Sequence, residues 1–381
     1  MAKDIIFCAD GTWNGPGNDD GPDLSPDSTN VLKVFSRLDG IVSPESLRLR
    51  DEQEKSLIGA NGEPLQIAKY LHGVGDSRNG IIKILGGVFG EGFVERIVRG
   101  YTFVSRNYVP GDRVHLIGFS RGAYTARALG GMILGMGLLD GEKTFGAGAS
   151  WEADLAYKMG ISVWTQYRKH AGKSSPLLGY LAEFHSVTVG PALLRDCDKL
   201  STIAVWDTVG SLGIPVYGGV DADRVDVFKF ADQDLSPRVE AGLHAISIDE
   251  CRADFEPTLW NDRPGVTQVW FSGAHADVGG GYPEAVLSDI SLAWMTGALK
   301  ARGLHFSNAN FELKDPFVAH HAPWLESPFN LRPPVARTIP DFVKFHPSVQ
   351  ARLTGYADYK PGNISNWLNG GRQLPPGVMS Q

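Results

Sequence analysis

The chain has 381 residues, of which 43% are hydrophobic and 21% are charged, a composition typical of globular proteins and unlike that of disordered chains. Its formal net charge of −7 disfavours the cationic surface that nucleic-acid binding needs, so we expect no DNA or RNA partner. The three cysteines, Cys8, Cys197 and Cys251, have unrelated spacings, which argues against a disulfide framework and against a cysteine-rich zinc site.

Short apolar segments rich in β-branched residues alternate along the chain with longer segments that have helical periodicity. Buried parallel strands have this character when each ends in a glycine-containing loop. The alternation predicts right-handed βαβ crossovers and an α/β fold with a mostly parallel, doubly wound sheet. In chain order the predicted elements are strand 5–9, helix 28–38, strand 65–71, helix 93–108, strand 113–118, helix 121–136, helix 151–170, strand 201–206, helix 237–245, strand 266–271 and helix 287–301.

The chain is expected to form one domain over residues 1–381, because open α/β sheets reach this size without splitting. Two connections, 140–200 and 213–264, are longer than usual for a compact domain, so we expect helical cap insertions there. The segment 333–381 is rich in proline, glycine and asparagine, and we expect it to wrap on the surface.

Membrane and export signals are weak in this sequence. No run approaches the roughly 18 apolar residues of a spanning helix, and the first apolar stretch, 5–9, is too short for the core of a signal peptide. We therefore expect no transmembrane segment. The expected location is the cytoplasm, or outside the cell after export without a cleavable signal peptide.

The sharpest motif is Gly118-Phe119-Ser120-Arg121-Gly122, which lies between a predicted strand and a predicted helix. This order is typical of the nucleophile elbow, in which a strained turn presents the serine while the glycines let backbone segments pass closely. A serine that only caps the helix is the alternative. In an elbow, the amide of Arg121 can donate to a developing oxyanion. Ser120 is therefore the predicted nucleophile.

A second oxyanion donor must come from another loop at the end of a strand. The first predicted strand runs directly into Asp10-Gly11-Thr12, which exposes the amides of Gly11 and Thr12 at the same edge of the sheet. Asp10 would orient this loop by accepting amide hydrogens, and an ordinary turn-forming role for Asp10 is equally open.

The same loop also invites comparison with aspartyl-phosphate phosphohydrolases that use magnesium. Their signature would be Asp-x-Asp-Gly-Thr after the first strand. Here Cys8 occupies the position of the nucleophilic carboxylate, so this chemistry is disfavoured. We expect no metal and no other cofactor.

A serine nucleophile needs a base, and His275 is the predicted one. It lies in a glycine-rich loop that directly follows the predicted strand 266–271, where an imidazole could reach the elbow. His244 and His346 are the rival candidates. His244 falls on the predicted helix 237–245, where a packed or hydrogen-bonded histidine is the commoner outcome.

The base in turn needs a carboxylate, and Asp207 is the predicted one because it directly follows the strand 201–206. It completes the chain order Ser, Asp, His of α/β-hydrolases. Asp277, two residues beyond His275, is expected to brace the glycine loop, and Asp249 is a further candidate. A capping role for Asp207 at the strand end is the alternative.

Five motifs occur together in this chain, and as a set they resemble a known family. They are Phe-Cys-Ala-Asp-Gly-Thr-Trp-Asn at 7–14, Gly-Phe-Ser-Arg-Gly-Ala at 118–123, Trp-Asp-Thr-Val-Gly at 206–210, His-Ala-Ile-Ser-Ile-Asp-Glu at 244–250 and His-Ala-Asp-Val-Gly-Gly-Gly-Tyr at 275–282. The family they resemble is an α/β-hydrolase domain family of mostly uncharacterised bacterial and fungal proteins that includes the type VI secretion phospholipase effectors. The resemblance implies a serine-dependent lipolytic or esterolytic enzyme. Ser120 matches the family's nucleophile, and His275 falls in its histidine motif.

These features predict a serine hydrolase that cleaves carboxylic esters and is lipase- or phospholipase-like, acting through an acyl-enzyme intermediate. Ser120 would attack the ester carbonyl, His275 would act as base and then as acid, and Asp207 would orient His275. The expected partner is an ester or lipid substrate, with peripheral contact to a membrane left open. The alternative is a non-catalytic binding or interaction protein, in which the elbow persists without an assembled triad.

Overall fold

The structure of the protein is a computed structural model that describes residues 2–11, 27–46, 52–73, 89–170, 187–209, 234–307, 315–327, 329–341 and 343–373. The strands in this part of the chain are β1 (Asp4–Ala9), β2 (Ile41–Val42), β3 (Glu52–Ile58), β4 (Pro64–Leu71), β5 (Arg113–Phe119), β6 (Leu138–Leu139), β7 (Leu194–Arg195), β8 (Leu200–Trp206), β9 (Val239–Ser247), β10 (Val266–Phe271) and β11 (Lys344–Phe345). The helices are α1 (Asn30–Arg37), α2 (Phe89–Asn107), α3 (Arg121–Met136), α4 (Gly141–Phe145), α5 (Ala153–His170), α6 (His275–Gly279), α7 (Val286–Lys300), α8 (Pro347–Gly355) and α9 (Gly362–Asn369).

A nine-stranded sheet forms the centre of the fold, in the order β11-β10-β9-β8-β5-β1-β4-β3-β2. All neighbouring pairs from β11 to β4 are parallel, and β3 and β2 extend the other edge as antiparallel strands. The predicted α/β fold with a mostly parallel sheet is confirmed. In such a sheet the carboxyl ends of the strands meet at one edge, where the ligand sites of α/β folds lie.

Helices cover both faces of the sheet, and β1 shows how the sequence divides its side chains between them. Ile5 and Phe7 pack in a cluster with α2, α3 and α5, whereas Ile6 and Cys8 pack in a second cluster with α1 and α7. Successive residues of a strand point to opposite faces, so a strand covered on both sides must be apolar at every position. This explains why the central strands consist mostly of apolar residues, without the alternation of a strand exposed on one face.

The five predicted strands are confirmed, as are all the predicted helices except 237–245. The helix prediction for 237–245 is wrong, because Val239–Ser247 form β9, which pairs with β8 and β10. Alanine and leucine favour helix, and burial on both faces hides the alternation that would have marked a strand. Pairing with two neighbours overrides that local preference. His244 consequently lies on a buried strand.

The two long connections are described in part. The stretch 213–264 includes β9, so those residues belong to the main sheet and the prediction of a cap is wrong for them. In 140–200, α5 packs tightly on α2: a Cβ at Gly160 would lie 2.7 Å from Cγ1 of Val98. The predicted division into one domain with cap insertions stays a prediction, since 171–186 and 210–233 lie outside the described residues.

The C-terminal segment is more than a surface wrap, which corrects the prediction for 333–381. β11 joins the edge of the sheet, and α8 and α9 bury Val349, Ile364 and Trp367 in a third hydrophobic cluster with residues of β9 and β10. Before β11 the chain passes the carboxyl edge of the sheet over residues 329–341, which we call the strap. Residues 374–381 lie outside the described part of the chain.

Candidate active site

Ser120 lies at a sharp turn between β5 and α3. Its backbone has φ of 57° and ψ of −122°, a region that residues with a side chain rarely adopt. The turn is held on both sides: the Ser120 amide donates to the Trp206 carbonyl over 3.1 Å, and the Tyr124 amide donates to the Ser120 carbonyl over 3.2 Å. The serine therefore sits in a strained strand-to-helix turn at the carboxyl edge of the sheet.

The two glycines of the motif are required by close backbone contacts. A Cβ at Gly118 would lie 2.4 Å from the carbonyl oxygen of Gly122. A Cβ at Gly122 would lie 2.1 Å from the carbonyl oxygen of Ala9. Only glycine lets α3 approach β5 and β1 this closely, and that approach aims the start of α3 at the site.

Asp207 follows β8, the strand next to β5. Phe119 and Trp206 are partners in the register of these strands, so Ser120 and Asp207 come at the same level of the sheet. Asp207 is fully buried and has a positive φ of 37°. Its Oδ1 accepts the Ser247 amide at 2.9 Å, and its Oδ2 contacts Nδ1 of His275 at 2.5 Å.

His275 is the first residue of the short helix α6, whereas the sequence analysis placed it in a loop. Its ring packs between Phe119, at 4.6 Å between ring centroids, and Phe255, at 5.1 Å. Asp207 can only accept, so Nδ1 carries the hydrogen and Nε2 is left with a lone pair. Burial lowers the pKa of His275, although the hydrogen bond to Asp207 and the charge of that carboxylate act in the opposite direction. The ring is therefore neutral at neutral pH.

The structure brings Ser120, Asp207 and His275 to one place through their neighbours: Phe119 precedes the serine and contacts the histidine ring. Among the hydrogen bonds formed by the described residues, none joins the Ser120 hydroxyl to the His275 ring. Catalytic hydrogen bonds of this kind often tighten only when substrate is bound.

Arg337, a residue of the strap, is part of the site and was not predicted from the sequence. Its guanidinium forks onto the Asp207 carboxylate, with Nη1 to Oδ1 at 2.7 Å and Nη2 to Oδ2 at 2.9 Å. Although burial raises the pKa of Asp207, the charge of Arg337 and the bond from His275 outweigh it and hold that pKa well below its usual range. No local motif marks Arg337, because its partner lies 130 positions away in the sequence.

The three predicted oxyanion donors are the backbone amides of Arg121, Gly11 and Thr12, and they differ in their surroundings. The amide of Arg121 lies at the start of α3. The Gly11 amide donates to Oδ1 of Asp10 at 2.6 Å, so its hydrogen is already taken, and Gly11 does not fit the predicted oxyanion role in this structure. Thr12, the other candidate, lies outside the described residues.

Asp10 orients the first loop. Besides the Gly11 amide, its buried carboxylate accepts the hydroxyls of Thr29 and Tyr70, each at 2.6 Å. Burial raises the pKa of Asp10, while these hydrogen bonds act in the opposite direction. The carboxylate thus joins the loop after β1 to the start of α1 and to β4.

The rival histidines have other partners. His244 is buried on β9, where Nε2 accepts the amide of Thr208 at 3.1 Å and Nδ1 contacts Oε1 of Gln268 at 3.3 Å. Burial lowers its pKa to about 3, so the ring is neutral and holds the residue after Asp207 in place. His346 caps α8 by accepting the Ser348 amide at 3.2 Å.

Asp277 and Asp249 fix the start of α6. Oδ2 of Asp277 accepts the amides of Ala274 and His321, each at 2.9 Å, and Oδ1 contacts Nδ1 of His321 at 2.7 Å. Oδ2 of Asp249 accepts the Gly273 amide at 2.6 Å. Both carboxylates position the backbone around His275, and neither bonds to its ring.

Within the ranges that the structure describes, no group of three or more His, Cys, Asp or Glu side chains is arranged to hold a metal ion. Across those same ranges, every helix is too short or too polar to cross a bilayer.

Residues 3–298 match the model of a family described as T6SS, Phospholipase effector Tle1-like, catalytic domain. A similar curated protein is the uncharacterized protein YEL023C of Saccharomyces cerevisiae, 28% identical over 286 residues, which are 70% of this chain and 34% of the yeast protein. The chain thus spans about a third of the length of that relative.

Two solved structures also resemble the chain. One is the crystal structure of an uncharacterized protein from Pseudomonas aeruginosa, with TM-score 0.41, 17% identity and coverage of 80% of this chain and 46% of that one. The other is the structure of the Tle1 effector bound to the VgrG spike from the Type 6 secretion system, with TM-score 0.36, 16% identity and coverage of 74% and 51%. On the match of residues 3–298, the chain belongs to the family of Tle1-like phospholipase effector catalytic domains.

Proposed function

We propose that the protein is a serine hydrolase that cleaves carboxylic ester bonds in lipids, with Ser120, His275 and Asp207 as its catalytic triad. Membership of a phospholipase effector family supports hydrolysis of lipid esters. The observation that carries the triad is the 2.5 Å contact between Asp207 and His275, beside the strained turn at Ser120.

In the first half of the reaction, the Ser120 oxygen attacks the carbonyl carbon of the ester. Nε2 of the neutral His275 takes the hydroxyl proton, and Asp207 stabilises the imidazolium that forms without itself being protonated. The negative charge moves to the former carbonyl oxygen. The proposed donors to this oxygen are the amide of Arg121, at the positive end of α3, and the amide of Thr12.

In the second half, the tetrahedral intermediate collapses to an acyl-enzyme. The carbon–oxygen bond to the alcohol breaks, and His275 gives its proton to the departing alkoxide, which leaves as an alcohol. Water then attacks the acyl group while His275 again takes a proton, and the second collapse releases a carboxylic acid and restores Ser120. The neutral state of the buried His275 ring suits this role, because a protonated ring could not begin the cycle.

Labelling with a fluorophosphonate tests the nucleophile. The wild type should be labelled at Ser120, and the variant Ser120→Ala should lose both labelling and ester hydrolysis. Ser162→Ala, on α5, is the matched control and should behave like the wild type. Equal labelling of wild type and Ser120→Ala would contradict the proposal, and a well-folded wild type that takes up no label would favour the alternative of a non-catalytic binding protein.

The substrate class is tested separately, with p-nitrophenyl esters of increasing chain length beside phospholipid vesicles. We expect turnover of long-chain esters and release of fatty acid from phospholipid. Hydrolysis of short esters alone would remove the lipid part of the proposal and leave a small-molecule esterase.

A further inference from the structure

We propose that Arg337, carried by the strap, is a positioning residue that sets the proton affinity of His275 through Asp207, and thereby sets how acidic a medium the hydrolase tolerates. The inference rests on the proposed function of the triad. The arrangement of three buried charged or titratable groups supports it, and an NMR titration of His275 tests it without requiring turnover.

His275 and Arg337 both bond to the carboxylate of Asp207. Oδ2 of Asp207 accepts from Nδ1 of His275 at 2.5 Å and from Nη2 of Arg337 at 2.9 Å, while Oδ1 accepts from Nη1 at 2.7 Å. A planar guanidinium matches a carboxylate in this two-pronged way, and such charge-assisted pairs are among the strong hydrogen bonds of proteins. The arginine and the histidine therefore share the same negative charge.

Groups other than Asp207 also hold the guanidinium of Arg337. Its side chain is only 2% exposed. Nη1 also donates to the carbonyl and the hydroxyl of Ser247, each at 2.8 Å, and Nη2 donates to the carbonyl of Phe255. These acceptors fix the guanidinium in place, so its positive charge stays beside Asp207 when the protonation of His275 changes.

The charges of Asp207 and Arg337 act in opposite directions on the pKa of His275. A lone buried carboxylate would strongly favour an imidazolium beside it, which raises the pKa of the histidine. Arg337 neutralises much of that negative charge, since a guanidinium stays protonated at any working pH. The imidazolium then gains less from Asp207, and the histidine remains a neutral base to lower pH.

The other charged or titratable groups near His275 are Glu250, Arg252, His244 and Glu256. Glu250 accepts the His275 amide at 3.2 Å and forms an ion pair with Arg252 at 2.7 Å. His244, behind Asp207, is neutral, and desolvation raises the pKa of Glu256. Among the described residues, Arg337 is the cation that bonds to the Asp207 carboxylate.

The strap reaches this position because several contacts hold it. Phe329 packs edge-on against Phe255, and Arg332 forms an ion pair with Asp254 at 3.0 Å. Residue 337 lies beyond the stretch 3–298 that matches the family model, so a segment outside that match supplies a contact to the triad carboxylate.

The test is an NMR titration of protein labelled with ¹⁵N-histidine, in which the His275 signal is identified by its loss in His275→Asn. Arg337→Gln should move the protonation midpoint of His275 upward by about one pH unit. Arg337→Lys keeps the charge without the fork, and its midpoint should fall between wild type and Gln. Arg113→Gln, which removes an arginine from the Asp4 carboxylate at the amino ends of the strands, far from the strap, is the matched control and should leave the midpoint unchanged.

An unchanged midpoint in Arg337→Gln, in protein with wild-type near-UV circular dichroism, would overturn the inference. If the Gln variant does not fold, the Lys variant decides: a wild-type midpoint overturns the inference, and a smaller upward shift supports it. In the active enzyme the acid limb of kcat/KM should move with the midpoint. A midpoint that moves in a protein with no esterase activity would refute the proposed function and leave the coupling of Arg337 to His275 standing.

Discussion

Two buried aspartate–histidine pairs lie at opposite edges of the same sheet. At the carboxyl edge, Asp207 contacts His275 at 2.5 Å; at the amino edge, Asp4 of β1 contacts Nε2 of His115 of β5 at 2.9 Å. Each aspartate also accepts from an arginine, since Arg113 bonds to Asp4 at 2.6 Å. The pair by itself is therefore no mark of a catalytic site.

The two pairs differ in what surrounds the ring. His115 lies on a regular strand, is fully buried, and its second nitrogen contacts the Thr202 hydroxyl at 3.2 Å. His275 begins a helix beside the strained turn of Ser120, and no described residue forms a hydrogen bond with its Nε2. An aspartate–histidine pair becomes a candidate base where one nitrogen is left for a reacting group and the backbone presents a nucleophile nearby.

Exchange of each histidine for glutamine tests most directly whether the two pairs differ in function. His275→Gln should lower kcat for ester hydrolysis by about 10³-fold or more, because the serine loses its base. His115→Gln should leave kcat within a few-fold and lower the free energy of unfolding by about 1–3 kcal/mol, because a buried hydrogen-bond pair is disturbed. Kinetics and denaturant unfolding of both variants measure these effects. Loss of turnover in a folded His115→Gln protein would remove the distinction between the two pairs.

Two glycines test how closely α3 approaches β1 beside the candidate site. Gly122→Ala would place a methyl group 2.1 Å from the Ala9 carbonyl oxygen, and we expect it to lower the free energy of unfolding by about 3 kcal/mol or more. Gly297→Ala, on α7, meets no atom within 4 Å and should raise it by about 0.5–1 kcal/mol. Urea unfolding of both variants provides the measurement, and equal effects would contradict the close approach of α3 to β1.

Acid should weaken the folded protein, since three of its buried histidines, His115, His244 and His275, are neutral. Burial lowers the pKa of His115 and of His275, and it lowers that of His244 to about 3. As pH falls below the ordinary value of 6.5, the unfolded chain takes up protons that the folded chain refuses, so stability decreases. His244→Gln should make this decrease shallower between about pH 6 and pH 4 in denaturant melts. An unchanged slope would contradict a neutral buried His244.

Much of the fold followed from local patterns. The strands β1, β5, β8 and β10 are largely buried on both faces, so most of their residues are apolar, and glycine or aspartate marks their ends. β9 was mistaken for a helix because its residues are also helix formers, and its pairing partners are distant in sequence. The antiparallel strands β2 and β3 were missed because they lie at a lateral edge of the sheet, where few of their residues are buried.

The candidate site was predictable wherever a residue follows a strand. Ser120, Asp207 and the segment leading to His275 all come at the carboxyl ends of parallel strands, and the topology of such sheets brings these ends together. Arg337 could not be found in this way, because it lies on an irregular segment and its role depends on contacts across the fold. The engagement of the Gly11 amide by Asp10 depends on a side-chain rotamer, which the sequence does not reveal.

The third hydrophobic cluster bears on how small a working version of this protein can be. Ile246 of β9 and Trp270 of β10 are covered by Val349, Ile364 and Trp367 from the two last helices. A fragment that ends at residue 298, where the family match ends, would leave β9 and β10 uncovered. It would also lack Arg337, whose guanidinium bonds to the Asp207 carboxylate. A fragment that keeps these strands covered and Arg337 on Asp207 must therefore extend through residue 369, well past residue 298.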